Sequence, residues 1–360
     1  MELRVVKGPL DDSWLRPVVE LYGAHRGKYR DLGYCRSLFN GNPHGYSWHA
    51  FLIRDGGDVV GHYCIIPTDI LVDGTRTPAG KAEALVVHPD HRGETVPGKD
   101  GGPVLCGLAM PARLYQHALD QGMQVIHMIP DPEVQVIYPI TGSRTVPSRH
   151  TRERLFVSPV APSFATPLQR TRQAALAHAQ RAAFEAAYAA TRAGAGRTTC
   201  RGGSDLTSEQ FERIAADVQA VSGWTVAIDA PTVAWFIVAG SGEVIALDEA
   251  MDNYAVVTPR AGEGQVMEVL FWRQRTGGVR AALRLLGAVV RRAEALGDRI
   301  VGVAHHAALD PVERSRLGTA ARLLAFQRRS QETHLFASTR NRYYMDPANL
   351  FFTPFFYGIF

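Results

Sequence analysis

Between Arg92 and Pro103 the chain reads Arg-Gly-Glu-Thr-Val-Pro-Gly-Lys-Asp-Gly-Gly-Pro. Two cations, Arg92 and Lys99, share one short segment with Gly93, Gly98, Gly101 and Gly102. Glycines let backbone amides approach a ligand closely, and the cations supply charge, so the segment has the chemistry of an anion cradle. Apolar residues at Val104, Leu108, Ala112, Tyr115 and Leu119 follow at helical spacing, and Pro103 suits the first helical position. A helix starting there adds unpaired amides and the positive end of its dipole. Upstream, Ala84-Leu85-Val86-Val87 is a short β-forming run stopped by Pro89. Downstream, Gly122 ends the helix, Met123 to Ile129 reads as a second strand, and Asp131-Pro132-Glu133 opens a short helix carrying Tyr138. Strand, glycine loop, helix and strand in this order is a phosphate-binding layout.

The run Val87-His88-Pro89-Asp90-His91-Arg92-Gly93 resembles the acyl-CoA motif V-x-P-x-x-R-G of the GNAT superfamily of N-acyltransferases. Asp131-Pro132-Glu133-Val134-Gln135-Val136-Ile137-Tyr138 is similar to that family's N-x-x-A-x-x-L-Y segment. One departure is plain: Glu94 to Asp100 is interposed where the family has a compact R-G-x-G-x-G/A loop. The resemblance implies that backbone groups at Leu85, Val86 and Val87 pair with pantetheine and polarise the thioester. Arg92, Gly93, Lys99, Gly101, Gly102 and Pro103 would then hold the pyrophosphate. It further implies Glu83 as the base, on the strand face shared with Leu85 and Val87 by the two-residue period, and Tyr138 as the acid. His62 and the Asn42-to-Gly45 turn look like segments that lie toward the acceptor cleft in a tandem-domain branch of the superfamily.

Bulk properties bound the alternatives. At 360 residues and 46% hydrophobic content the chain can bury a large core, and its length favours two domains. Only Lys7, Lys28, Lys81 and Lys99 among 39 basic residues are lysines, an arginine bias without a basic stripe, which argues against nucleic-acid binding. Cys35, Cys64, Cys106 and Cys200 form no C-x-x-C pair, so neither a disulfide framework nor a zinc site is expected, and no metal is. The acidic N-terminus and the lack of a membrane-length apolar run give the expectation of a cytoplasmic, soluble protein with no membrane partner.

The chain also repeats its own plan. Trp48 to Ile53 and Val59 to Ile66 read as a hairpin, matched by Glu243 to Leu247 and Asn253 to Val257. Gly297, the strand from Arg299 and Asp310-Pro311 answer Gly122, the strand from Met123 and Asp131-Pro132 about half a chain later. After Val266 to Trp272, however, no P-x-x-R-G follows; only Arg273, Arg275, Gly277 and Gly278 remain. Together with the resemblance, the repeat implies an α/β fold class of two tandem GNAT-like domains, each a mixed, mostly antiparallel sheet with helices on both faces. The expected division is 1–160 as the acyl-CoA-binding domain, 161–203 as an alanine-rich linker helix and flexible joint, and 204–360 as a degenerate copy. Pro167 to Arg192 is open to two readings, a linker helix or a homodimer helix, and the aromatic tail from Phe351 reads as a buried strand.

The resulting expectation is an N-acyltransferase that moves an acyl group from acetyl-CoA or another acyl-CoA to an amine by direct attack. A cleft between two domains suits an amino sugar, a natural-product amine or a peptide. Two alternatives stay open: a Fem-type aminoacyl-tRNA-dependent aminoacyltransferase, kept alive by the interrupted loop, and a non-catalytic GNAT-fold binding protein.

Overall fold

The computed structural model describes residues 1–26, 31–72, 74–128, 135–146, 151–156, 167–192, 198–220, 225–239, 241–260, 266–297, 300–305, 311–324, 327–329 and 335–339. The aromatic tail and the Asp131-Pro132-Glu133-Val134 part of the second motif lie outside them. Two compact units emerge, one of residues 1–148, 222–235 and 333–352, the other of 149–221, 236–332 and 353–360.

The first unit contains β1 (Glu2–Gly8), α1 (Asp12–Arg26), α2 (Leu32–Phe39), β2 (Ser47–Ile53), β3 (Val59–Pro67), β4 (Ile70–Val72), β5 (Thr75–Thr77), β6 (Ala79–Val87), β7 (Thr95–Pro97), β8 (Pro103–Leu105), α3 (Cys106–Asp120), β9 (Val125–Met128), α4 (Ile137–Ile140) and β10 (Arg144–Val146). The second begins with β11 (Thr151–Phe156), α5 (Pro167–Arg192), β12 (Thr199–Gly202) and α6 (Ser208–Ala220). β13 (Thr225–Val226) returns to the first unit and α7 (Ala230–Ala239) runs across the division; the second unit continues with β14 (Glu243–Ala246), β15 (Asn253–Arg260), β16 (Val266–Gln274), α8 (Gly278–Ala295), β17 (Ile300–His305), α9 (Pro311–Leu323) and β18 (Gln327–Arg329), and β19 (Leu335–Thr339) belongs again to the first.

The two main sheets have matching orders, β1-β2-β3-β6-β9-β19-β10 and β12-β14-β15-β16-β17-β11-β18. In each, one parallel pair interrupts an otherwise antiparallel ladder, β6 with β9 and β16 with β17. Their sixth strands come from the other half of the chain. β19 joins β9 and β10 in the first sheet, while β11 joins β17 and β18 in the second. The division at 160 and 204 read from the sequence is corrected accordingly, because main-chain pairing, not chain order, decides which sheet a strand completes. Nor are 199–202 a joint: Thr199 to Gly202 pair with Glu243 to Ala246 as the edge strand β12.

Apolar alternation explains the layers. In the first unit Trp48, Ala50, Leu52, Tyr63, Ile65, Ala82, Leu85 and Val87 face α3, whose Met110, Leu114, Tyr115 and Ala118 complete that core. On the opposite face, Tyr22 of α1 and Phe39 of α2 meet the His62 ring. In the second unit, α8 buries Ala282, Leu285, Leu286, Val289 and Val290 against β14 to β17. The alanine-rich α5 is part of that core: Phe184 and Tyr188 are buried there, Tyr188 lying directly over Gly287. Arg181 and Arg291 bridge α5 to α8 through Glu185 and Glu294.

Candidate functional site

β6 and β9 pair over three residues, Ala79 with Val125, Gly80 with Ile126 and Lys81 with His127. Beyond Lys81 the strands fork, and Ala82 to Val87 continue with β3 alone. A bulge sits in that continuation. Cys64 opposes Glu83 and His62 opposes Val86, so Tyr63 faces two residues, Ala84 and Leu85. The copy has the same device: β16 leaves β17 after Val269, and its ladder with β15 slips at Leu270. Bulges re-aim side chains, and this one corrects a sequence expectation. The extra residue breaks the two-residue period, so Leu85 and Val87 point to the α3 core with Ala82. Glu83 faces the other side, that of α1 and α2.

There Glu83 has company that the sequence reading missed. Lys81 Nζ lies 2.5 Å from Glu83 Oε1, and the two side chains are 4% and 16% exposed. His127, fully buried, places Nε2 3.2 Å from Thr68 Oγ1. Burial and then the neighbouring Lys81 charge push its pKa down to about 3, so the ring stays neutral. Lys81 was legible in principle, as a lysine two residues before Glu83 on the same strand face.

The expected acceptor-side residues are committed elsewhere. Asn42 Nδ2 donates to the carbonyls of Phe39 (2.7 Å) and Tyr46 (2.9 Å), and its Oδ1 accepts from His44 N at 3.0 Å. It closes the turn between α2 and β2. His62 is wholly buried, with Nε2 3.1 Å from His49 Nδ1. Burial and the adjacent His62 hold the His49 pKa well below the usual histidine range. Together with Cys64 these form a cluster of metal-ligating types whose candidate atoms lie within 4.8 Å, but two of its nitrogens face each other in a hydrogen bond.

The anion loop also differs from expectation. Pro103 does not start the helix; it belongs to β8, which pairs with β7 as a small hairpin, and α3 begins at Cys106. Gly98 N donates to Gly102 O at 2.7 Å across the turn, and Gly101 takes the left-handed φ of +79° that glycine tolerates. Val96 is buried in the α3 core, and Arg113 donates to Pro97 O at 2.7 Å, clamping the hairpin along the helix. Lys99, Gly101, Gly102 and Pro103 are thus carried toward Arg113, about two turns from the helix start. Local pairing of Thr95 to Pro97 with Pro103 to Leu105 outweighed the helical preference of proline.

Arg92 and Gly93 remain at the hairpin's base. Arg92 is exposed, its Nε 3.3 Å from Val87 O, and the Cys106 amide is taken by Glu94 O at 3.0 Å. The next amides of the first turn, Gly107 and Leu108, have no helical acceptor by geometry. A diphosphate would therefore be held by Arg92, Gly93 and those amides, a smaller set than the sequence suggested.

Tyr138 sits in α4, 4% exposed, within the α3-side core. Nearby, the Tyr63 and Tyr115 hydroxyls join at 2.5 Å and Tyr115 donates to Met128 Sδ at 3.0 Å. Glu83 and Tyr138 therefore approach the fork from opposite faces of the sheet.

The second unit closes the corresponding place. Arg275 pairs with Asp217, which also accepts from Tyr254 Oη at 2.8 Å. Arg273 bonds Glu313 at 3.2 Å, and Glu313 accepts the Gln274 amide at 3.0 Å. Arg273, near the end of β16, and Arg275, just beyond it, are both spent on internal carboxylates.

No family model matches the sequence, and no curated protein matches it. Solved structures do match. A tandem GNAT protein from the clavulanic acid biosynthesis pathway, solved without AcCoA, is 15% identical with a TM-score of 0.54, covering 94% of this chain and 99% of its own. A GCN5-related N-acetyltransferase from Kribbella flavida is 15% identical at TM-score 0.53, over 94% and 72%. A conserved protein of unknown function from Enterococcus faecalis V583, described as a probable N-acyltransferase, is 12% identical at 0.52, over 94% and 73%. With paired sheets of identical order, a parallel fork in each and these structural neighbours, the chain has the tandem GNAT fold.

Proposed function

We propose that the protein is an acyl-CoA-dependent N-acyltransferase whose single active site is the fork between β6 and β9. The observation that carries this reading is the placement of Glu83 and Tyr138 on opposite faces of the fork. A thioester threaded between the strands would meet the amine and its base on one side and the acid for its leaving group on the other. The backbone of Leu85 to Val87 borders the opening, where amide groups suit a thioester carbonyl. Arg92, Gly93 and the α3 N-terminus suit the pyrophosphate. A tandem GNAT neighbour and two further N-acyltransferase-like structures, all at low identity, support the fold side of this reading, and the acceptor is proposed to be a small-molecule amine.

Calorimetric titration with acetyl-CoA and one longer acyl-CoA tests it, repeated on Arg92→Ala and on Lys99→Ala. One site per chain, weakened by Arg92→Ala and little changed by Lys99→Ala, is expected. No binding of either ligand would overturn the reading and bring forward the aminoacyl-tRNA-dependent or non-catalytic alternative.

A further inference from the structure

This inference rests on the reading of Glu83 as the base and concerns the amine it serves. Lys81 stands at the vertex of the fork, in the last β6–β9 pair, opposite His127. Its ammonium is buried behind Glu83 while the Glu83 carboxylate is more accessible, and the two are 2.5 Å apart. The other titratable groups placed on this face by the neighbouring strands are His127 of β9, His49 of β2, and His62 and Cys64 of β3. His127 and His49 are held neutral by burial. Tyr22 of α1 and Phe39 of α2 cover His62.

We propose that Lys81 is a positioning residue that holds the Glu83 carboxylate as its counter-ion, and that the pair selects acceptor amines arriving uncharged, weakly basic aryl or electron-poor amines over alkylammonium ions. A cation entering the fork loses its hydration and meets a carboxylate whose charge is already balanced. A neutral amine brings its lone pair without that cost. Its nitrogen attacks the thioester carbon, the C–N bond forms and the C–S bond breaks. The nitrogen's proton passes to Glu83 and then to solvent, while the departing thiolate takes the Tyr138 proton, which solvent replaces.

The test uses acetyl-CoA and two isomeric amines, p-toluidine, neutral at pH 7, and benzylamine, protonated there. Thiol release is followed from pH 6.5 to 9 in the full chain and in Lys81→Met. The expected kcat/KM at pH 7 favours p-toluidine at least tenfold and is flat with pH, while that of benzylamine rises close to tenfold per unit as its neutral fraction grows. In Lys81→Met the preference shrinks at least tenfold. Benzylamine used equally well at pH 7, with a flat profile, would overturn the inference while leaving acyl transfer intact; the wild-type comparison decides this even if the variant does not fold. Bound acetyl-CoA with no transfer to either amine would overturn the acyl-transfer reading and this inference with it.

Discussion

The hydroxyls of Tyr63 and Tyr115 lie 2.5 Å apart, a side-chain bond that ties the central strand β3 to α3 inside the core. Burial raises both phenols well above the ordinary tyrosine pKa, so both remain protonated donors across the working pH range. Replacing either by phenylalanine takes one hydrogen-bond partner from the other's buried hydroxyl. Each single variant is expected to lose about 1–3 kcal/mol of stability. The double variant should lose less than the sum, because the second change removes the group that lost its partner. Urea unfolding midpoints at constant m-value measure this; strict additivity would mean that the two hydroxyls are energetically independent.

The chemistry proposed for the fork gives a second prediction. Glu83→Gln and Tyr138→Phe are each expected to lower kcat by about 10²–10⁴-fold, with acetyl-CoA affinity by calorimetry nearly unchanged. Turnover that survives both changes would remove these side chains from the mechanism.

The buried imidazoles predict acid sensitivity. His127 has a folded-state pKa of about 3 against an unfolded value near 6.5, so the unfolded chain binds the extra proton between these limits. Stability is therefore full above pH 6.5 and falls on acidification, by up to about 1.4 kcal/mol per pH unit for this group. His49 is shifted in the same direction and adds to the slope. Chemical denaturation between pH 4 and 7 should show a shallower dependence in His127→Gln than in the wild type.

Packing of α5 on α8 is open to a direct check. A Cβ at Gly287 would stand 2.1 Å from the Tyr188 ring. Gly287→Ala is expected to destabilise the second unit by about 1–3 kcal/mol through overpacking. Tyr188→Ala in the same chain should recover part of the loss created by the methyl group, as read by thermal melting.

Much of the fold was legible because it is written in local patterns. The β2–β3 hairpin, β6, α5 and α8 follow from alternation, helical periodicity and glycine stops, and the repeat of Gly122 in Gly297 reveals the duplication. The exchange of β11 and β19 was not legible, since strand pairing at long range leaves no local periodicity. The Glu83 orientation was missed for a related reason: one bulge residue inverts the phase of a strand, and Ala84-Leu85 looks like ordinary β sequence. Pro103 misled because a proline suits an edge strand as readily as a helix start. Tyr115 reads only as an apolar position on a helix face, and its hydroxyl contact with Tyr63, like that of His127 with Thr68 on the other side of the sheet, emerges only from the long-range pairing of the fold.

The exchanged strand also sets a timetable. On the ribosome, β9 emerges roughly 200 residues before β19, its neighbour in the first sheet, an interval of roughly 10 to 40 s at ordinary elongation rates. Throughout it the strand that forms one arm of the fork presents an unsatisfied edge. The first unit is therefore finished last although most of it is made first, and premature termination anywhere in the second half leaves a nascent chain whose proposed catalytic sheet is a ready template for aggregation.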